Sequence, residues 1–230
     1  GWDVKIIATR INLISGTLTH QPNTATEPDE SGNWIADNRL CLECSTMEIG
    51  PAASINVEGK GFAGGPPYPD HAVGYGPGGG GVGSGTGGGG GYGGDGYGSS
   101  SVATPGKAYL TAQAPILPGS GGGSSSDSRG YGGSPGGGLI EIYCTGLLSV
   151  DGAISANGAN APNRGGAGSG GAIIINCGTF SGTNGTIIAT GGTSGFNGWG
   201  GGGRIAIYVT DTTTQATLPP HRVTFNLKAG

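Results

Sequence analysis

Charge is scarce in this chain. Only 10% of its 230 residues are Asp, Glu, Lys or Arg, and the formal net charge is -4; a soluble domain usually carries about 25%. The ten Lys and Arg stand singly, with no basic cluster to grip phosphates, so nucleic acid is not an expected partner. No apolar run approaches the ~18 residues of a membrane helix, so no spanning segment is expected. Helical periodicity is missing too: apolar residues recur at every second position, not every 3.6. No signal peptide is visible, and a strand-like pattern starts almost at Gly1-Trp2-Asp3. The chain reads as a mature, exported form.

Glycine is in excess, with 56 residues, roughly three times the usual ~7%. From Gly76 to Ser101 the chain runs GPGGGGVGSGTGGGGGYGGDGYGSSS, either a disordered tether or an ordered excursion. Disorder goes with low hydrophobicity and high net charge. Here dense β-branched runs such as Ala172-Ile173-Ile174-Ile175 and Ile205-Ala206-Ile207-Tyr208-Val209 argue for a packed core. The tyrosines in and near the stretch favour an ordered excursion packed close against a flank.

A repeat underlies the glycine. Ile142-Tyr143-Cys144 is followed by Ile154-Ser155-Ala156, and Ile175-Asn176-Cys177 by Ile187-Ile188-Ala189, so both halves recur at 175 - 142 = 33 and 187 - 154 = 33. Leu42-Glu43-Cys44 with Ile55-Asn56-Val57, Ile6-Ile7-Ala8 and Ile207-Tyr208-Val209 are further copies. One such unit cannot bury its own apolar face, whereas stacked units bury a continuous core and pair each backbone with its neighbours. Alternation puts Leu40, Leu42, Cys44, Ile140, Ile142, Cys144, Ile173, Ile175 and Cys177 inside, and Cys41, Glu43, Glu141, Tyr143, Ile174 and Asn176 outside. Asp151-Gly152, Asn157-Gly158, Asn184-Gly185 and Gly191-Gly192 supply the corners. The expected fold is all-β: a parallel β-solenoid of the right-handed β-helix kind, in a single domain over 1–230, with a glycine-rich insertion at 62–138 packed on its flank. An antiparallel sandwich with glycine-rich loops is the alternative.

The stretches GKGFAGG (59–65), PGSGGG (118–123), VDGAISANGAN (150–160), GGAGSGGAIIINCGTFSGTNGTIIATGG (165–192) and GGGGRIAIYV (200–209) occur together and in order. They resemble the glycine-rich β-helical segments of large secreted and cell-surface proteins of bacteria. That resemblance implies export, a surface or matrix location, and a structural or adhesive role. It carries no catalytic motif.

His20, His71 and His221 are scattered, each in a proline-containing context, and read as loop residues. Cys41 and Cys44 have CxxC spacing, but a zinc site wants a second such pair. Cys44, Cys144 and Cys177 hold one repeat position, and stacked coils bring equivalent Cα atoms to about 4.8 Å, within disulfide range. Cys144–Cys177 and Cys41–Cys44 are the expected pairs in an exported chain, with free thiols as the alternative. Gly90-Gly-Tyr-Gly-Gly-Asp95 matches a calcium-binding nonapeptide once, too few oxygens for calcium. No acidic pair sits beside a basic cluster as a polysaccharide-cleaving site would want, and no dense hydroxyl rank is seen beyond Thr210 and Thr212–Thr214. Asn184-Gly-Thr186 is a glycosylation sequon as well as a turn. Neither an enzyme nor a cofactor is expected.

The strand pattern begins by Val4 and resumes at Arg222–Leu227 without a recognisable cap. Uncapped coils template pairing with another chain, and a head-to-tail contact that does not close makes an open filament. The expectation is an extracellular structural subunit that polymerises with its own copies, through Val4, Ile6, Ile11, Leu13, Val223, Phe225 and Leu227, by coil stacking or strand exchange. The alternative is an adhesin module that binds carbohydrate, such as a cell-surface or matrix polysaccharide, by stacking Tyr68, Tyr75, Tyr92, Tyr97 and Tyr131 on sugars.

Overall fold

The structure, a computed structural model, describes residues 2–98, 103–111, 116–127 and 129–230; Ser99–Ser101 of the long glycine stretch lie outside them. Its strands, in chain order, are β1 (Trp2–Leu18), β2 (Asn38–Asn56), β3 (Leu139–Val150), β4 (Ala153–Ser155), β5 (Ala172–Ser181), β6 (Thr186–Ile188), β7 (Arg204–Val209) and β8 (Thr224–Asn226), with one short helix, α1 (Thr212–Gln215). All pairings are parallel. On one side β1, β2, β3, β5 and β7 stack in that order. On the second side the ends of β1 and β2 continue onto β4, β6 and β8. This is the stacked parallel β-solenoid that the repeat implies.

The register turns the repeat into columns. Val4, Leu40, Ile140, Ile173 and Ile205 stand one above another, as do Ile6, Leu42, Ile142, Ile175 and Ile207, and Ala8, Cys44, Cys144, Cys177 and Val209. Leu18, Ile55, Ile154, Ile187 and Phe225 form the matching column on the second side. In the middle levels these side chains are almost wholly out of water and make one core. Some outward positions are buried as well. Leu139, Ala172 and Ile174 pack beneath Tyr92 and Tyr109. Arg204 holds that cover down: its guanidinium lies 5.5 Å from the Tyr92 ring centre and donates to the Tyr109 and Leu110 carbonyls at 3.0 and 2.9 Å.

The third side holds the glycine, and among the described residues it has isolated parallel bridges at Gly83–Ser125 and Ala161–Ser194 but no strand. Consider residues 119–125. The amides of Gly119, Gly122 and Ser125 donate to the carbonyls of Gly137, Ser134 and Tyr131, and those of Gly121 and Ser124 to Tyr75 and Ala72. In return the carbonyls of Gly119 and Gly122 accept from Phe62 and Gly65, those of Gly121 and Ser124 from Gly80 and Gly83, and those of Ser120 and Gly123 from Ser169 and Gly166. Every partner recurs at the third residue. That is the period of a polyproline-II helix, which makes no internal bonds and points its amides and carbonyls outward in three directions. Each extended rod is therefore bonded to neighbours all round it. Residues 166–171 repeat the pattern: Gly166 and Ser169 bond to 123 and 120, Ala167 and Gly170 to 198 and 201, Gly168 and Gly171 to 159 and 156. At many of the glycines the rods lie too close for any side chain. A Cβ on Gly123 would meet the Gly81 carbonyl, and one on Gly166 the Gly88 carbonyl.

The glycine-rich segment 62–138 bonds to the coil returns around 156–171 and 189–203, parts of which share its lattice. One expectation about the corners is corrected. Asn157-Gly158 and Gly191-Gly192 are not corners but extended segments within that lattice. Asp151-Gly152 and Asn184-Gly185 do sit at corners, between β3 and β4 and between β5 and β6.

Polar latches tie successive levels on the outer surface. Asn157 Oδ1 accepts from the Thr190 amide and hydroxyl at 2.9 and 3.0 Å. Asn160 does the same for Thr193 at 2.8 and 2.9 Å, and Asp151 for Thr183 at 2.6 and 2.7 Å.

Candidate functional site: the two open ends of the stack

Each core column ends in a residue that lacks one neighbour. At one end β1 pairs only with β2 among the described residues, so its outer edge of amides and carbonyls is unpaired. Val4, Ile6, Ala8, Leu13 and Leu18 are there only partly buried. At the other end, among the described residues, β7 pairs only with β5 and β8 only with β6. Ile205, Ile207 and Val209 are partly buried, while Phe225 and Leu227 are 41% and 44% exposed. The same columns are at or near zero exposure two levels away.

The interface candidates read from the sequence divide accordingly. Val4, Ile6, Leu13, Phe225 and Leu227 do stand at the ends. Ile11 and Val223 are buried in the core at 7% and 6% exposure, so neither is free to meet a partner. Ala8, Leu18, Ile205, Ile207 and Val209 were missed. Their repeat positions carried the signal, since Val209 lies 209 - 177 = 32 residues beyond Cys177 and so belongs to the last level.

The second end also has a partial cap, which the sequence reading did not find. Above the end of β5, where a further strand would lie, Phe180 instead pairs with a side chain. Its amide donates to Gln215 Oε1 at 2.7 Å, and its carbonyl accepts from Gln215 Nε2 at 3.0 Å. A glutamine amide has the same donor and acceptor as a peptide, so α1 stands in for a strand. Asp211 caps α1 by accepting from the Thr214 amide at 3.0 Å. Hydrogen bonds from the Thr214 side chain and backbone hold its carboxyl below the ordinary range.

Charges border the first end on its outward face. Lys5 Nζ meets Glu43 at 2.7 Å, and that bond raises the lysine's pKa. Arg10 reaches Glu48 at 3.6 Å with both side chains half or more exposed.

The remaining candidate residues lie elsewhere. All four cysteines are buried free thiols, so Cys144–Cys177 and Cys41–Cys44 are not bonded in this structure. In-register stacking gives Cys44, Cys144 and Cys177 parallel Cβ vectors at about the strand spacing of 4.8 Å, wider than the ~3.8 Å a disulfide prefers. Cys41 and Cys44, three apart on one strand, point to opposite faces. Burial raises the pKa of Cys44 and brings that of Cys177 up to about 11. Asp95 gives one oxygen to Lys107 Nζ and the other to the Ala108 amide, both at 2.8 Å. Among the described residues no cluster of three His, Cys, Asp or Glu could hold a metal ion. Tyr92 is fully buried and Tyr97 stacks on Trp199 with ring centres 5.0 Å apart. Tyr131 lies 5.8 Å from the Arg129 guanidinium, and Tyr68 lies 5.5 Å from the His71 ring. Tyr68 and Tyr97 are 55% and 51% exposed. His20 is buried, and burial lowers its pKa; His221 packs between Phe180 and Phe225. Asn184 is exposed at the β5–β6 corner, on the rim of a shallow trough lined by Thr17, Ser54, Asp151 and Thr186.

Comparison with protein-family models, with curated proteins and with solved structures finds no match. Among the described residues, no helix is long and apolar enough to cross a membrane.

Proposed function

We propose that this chain is an extracellular structural protein, a subunit that stacks head-to-tail with its own copies through the open ends of its β-solenoid to build a filament or matrix fibre. One observation carries the reading: among the described residues both ends present unpaired strand edges over only partly buried members of the same core columns. Such edges are templates for pairing, and most folds blunt them with charge, proline or a covering element. Here charges border one end and α1 covers the middle of the other, and the remaining edges stay open among the described residues. The two ends are different surfaces, so their contact is heterologous and repeats without closing. The extracellular location rests on the resemblance of the glycine-rich stretches to exported β-helical segments. No catalytic step forms part of this reading.

The adhesin alternative has less support, since Tyr92, one of its five tyrosines, is fully buried. Negative-stain microscopy and sedimentation across a concentration series test the proposal. Filaments that lengthen with concentration are the expected result. A discrete 22.2 kDa monomer at every concentration overturns it, and glycan-array binding without filaments favours the adhesin.

A further inference from the structure

The head-to-tail reading leaves open how one copy meets the next, and the repeat register narrows the choice. Thr210 and Asp211 continue the ladder past β7, their amides donating to the carbonyls of Cys177 and Gly178 at 2.9 Å. If a second copy's β1 is laid on β7 as β1 is laid on β2, each column simply gains a member. Val4 stands on Ile205, Ile6 on Ile207 and Ala8 on Val209. Two residues further along, Arg10 stands on Asp211. On the second side, Leu18 stands on Phe225, the most exposed large apolar residue of β8.

We infer that the joint between copies is this in-register continuation, with β1 of one copy parallel on β7 and β8 of the next, and that the Arg10–Asp211 pair selects the register. The inference rests on the head-to-tail reading. A slip of one residue would turn each inward side chain of β1 to the outer face. A slip of two would keep apolar on apolar along β7 but would set Arg10 over Val209 and take Leu18 off Phe225. Arg10 is loosely held, at 3.6 Å from Glu48. Asp211 accepts from the Thr214 amide and hydroxyl at the start of α1, and a carboxylate's roughly four acceptor sites leave room for a guanidinium. Exposed pairs contribute little affinity, so backbone pairing and the apolar columns supply the adhesion. A slipped joint leaves Arg10 over Val209 and Asp211 without a guanidinium, and that lost complementarity gives the pair its selective role.

Charge reversal tests this. Arg10→Asp sets two carboxylates face to face at every joint, and Asp211→Arg sets two guanidinium groups. Each variant alone is expected to need about tenfold more protein to assemble, or to stay unassembled, as measured by sedimentation and microscopy. The double variant restores opposite charges, and so does a 1:1 mixture of the two single variants, in which each joint between unlike copies is complementary. Assembly regained in the mixture also shows that both variants are folded. Continuous stacking predicts an axial repeat of about 24 Å, five levels at about 4.8 Å each. A wild-type protein that remains monomeric defeats the head-to-tail reading itself. Wild-type filaments with single variants that assemble normally, or with no recovery in the double variant and the mixture, overturn the register alone.

Discussion

Gly166 shows what a single residue does in this molecule. Its amide donates to Gly123, its carbonyl accepts from Ser134, and the Gly88 carbonyl occupies the place where a Cβ would go. Ala at this position has no rotamer to escape into, so rods must separate. Gly166→Ala is expected to destabilise by about 3 kcal/mol, at the upper end of ordinary overpacking. Gly195→Ala, at a site with open space around it, should stay within about 0.5 kcal/mol. Denaturant unfolding of the two variants checks the contrast, and equal losses would count against close packing of the rods. The buried thiols make a second prediction. Burial lifts Cys177 from an ordinary 9.0 to about 11, so as pH rises the unfolded chain ionises first. Stability is then unaffected below about pH 9 and falls between about 9 and 11. Cys177→Ala should flatten that fall in the unfolding midpoint, and an unchanged slope would assign the alkaline loss to other groups.

At the scale of the element, strands and rods differ in how they are written in the sequence. A strand buries alternate side chains, so Leu40-x-Leu42-x-Cys44, Ile140-x-Ile142-x-Cys144 and Ile173-x-Ile175-x-Cys177 declare both their conformation and their stacking partners. A rod buries backbone. Its order lies in hydrogen bonds at every third residue, and a run of glycines leaves no mark of that period. Between Gly83 and Gly93 glycine happens to fall on every odd position, which points away from a threefold helix although one is present. The amides of Gly88, Gly90, Gly123, Gly166 and Gly201, bonded across the lattice at 2.8–2.9 Å, are expected to exchange hydrogen as slowly as the core strand amides. Rapid exchange there would return the region to a tether. The α1 cap was equally illegible, because nothing in Thr212–Gln215 announces that Gln215 pairs with the backbone of Phe180 across 35 residues.

For the whole molecule, the two ends of the stack follow from the repeat, and the identity of their residues was only partly legible. Phe225 and Leu227 were visible as a late apolar pattern. Ile11 and Val223 carry the same pattern and belong to the outer levels, yet are 7% and 6% exposed, since alternation does not tell which inward side chain of an end level its own core already covers. Ile205, Ile207 and Val209 become end residues only once β7 is known to carry nothing above it. The molecule thus joins two kinds of order, a side-chain core under the strands and a backbone lattice beside it. The lattice has a consequence for survival among digestive enzymes. A protease must lift a length of chain clear, hold it extended, and recognise it by its side chains. Between Gly61 and Gly98 there is no lysine or arginine to recognise, and freeing one rod breaks its bonds to all its neighbours at once. The stretch whose composition suggests the easiest cleavage offers a protease the least to grasp.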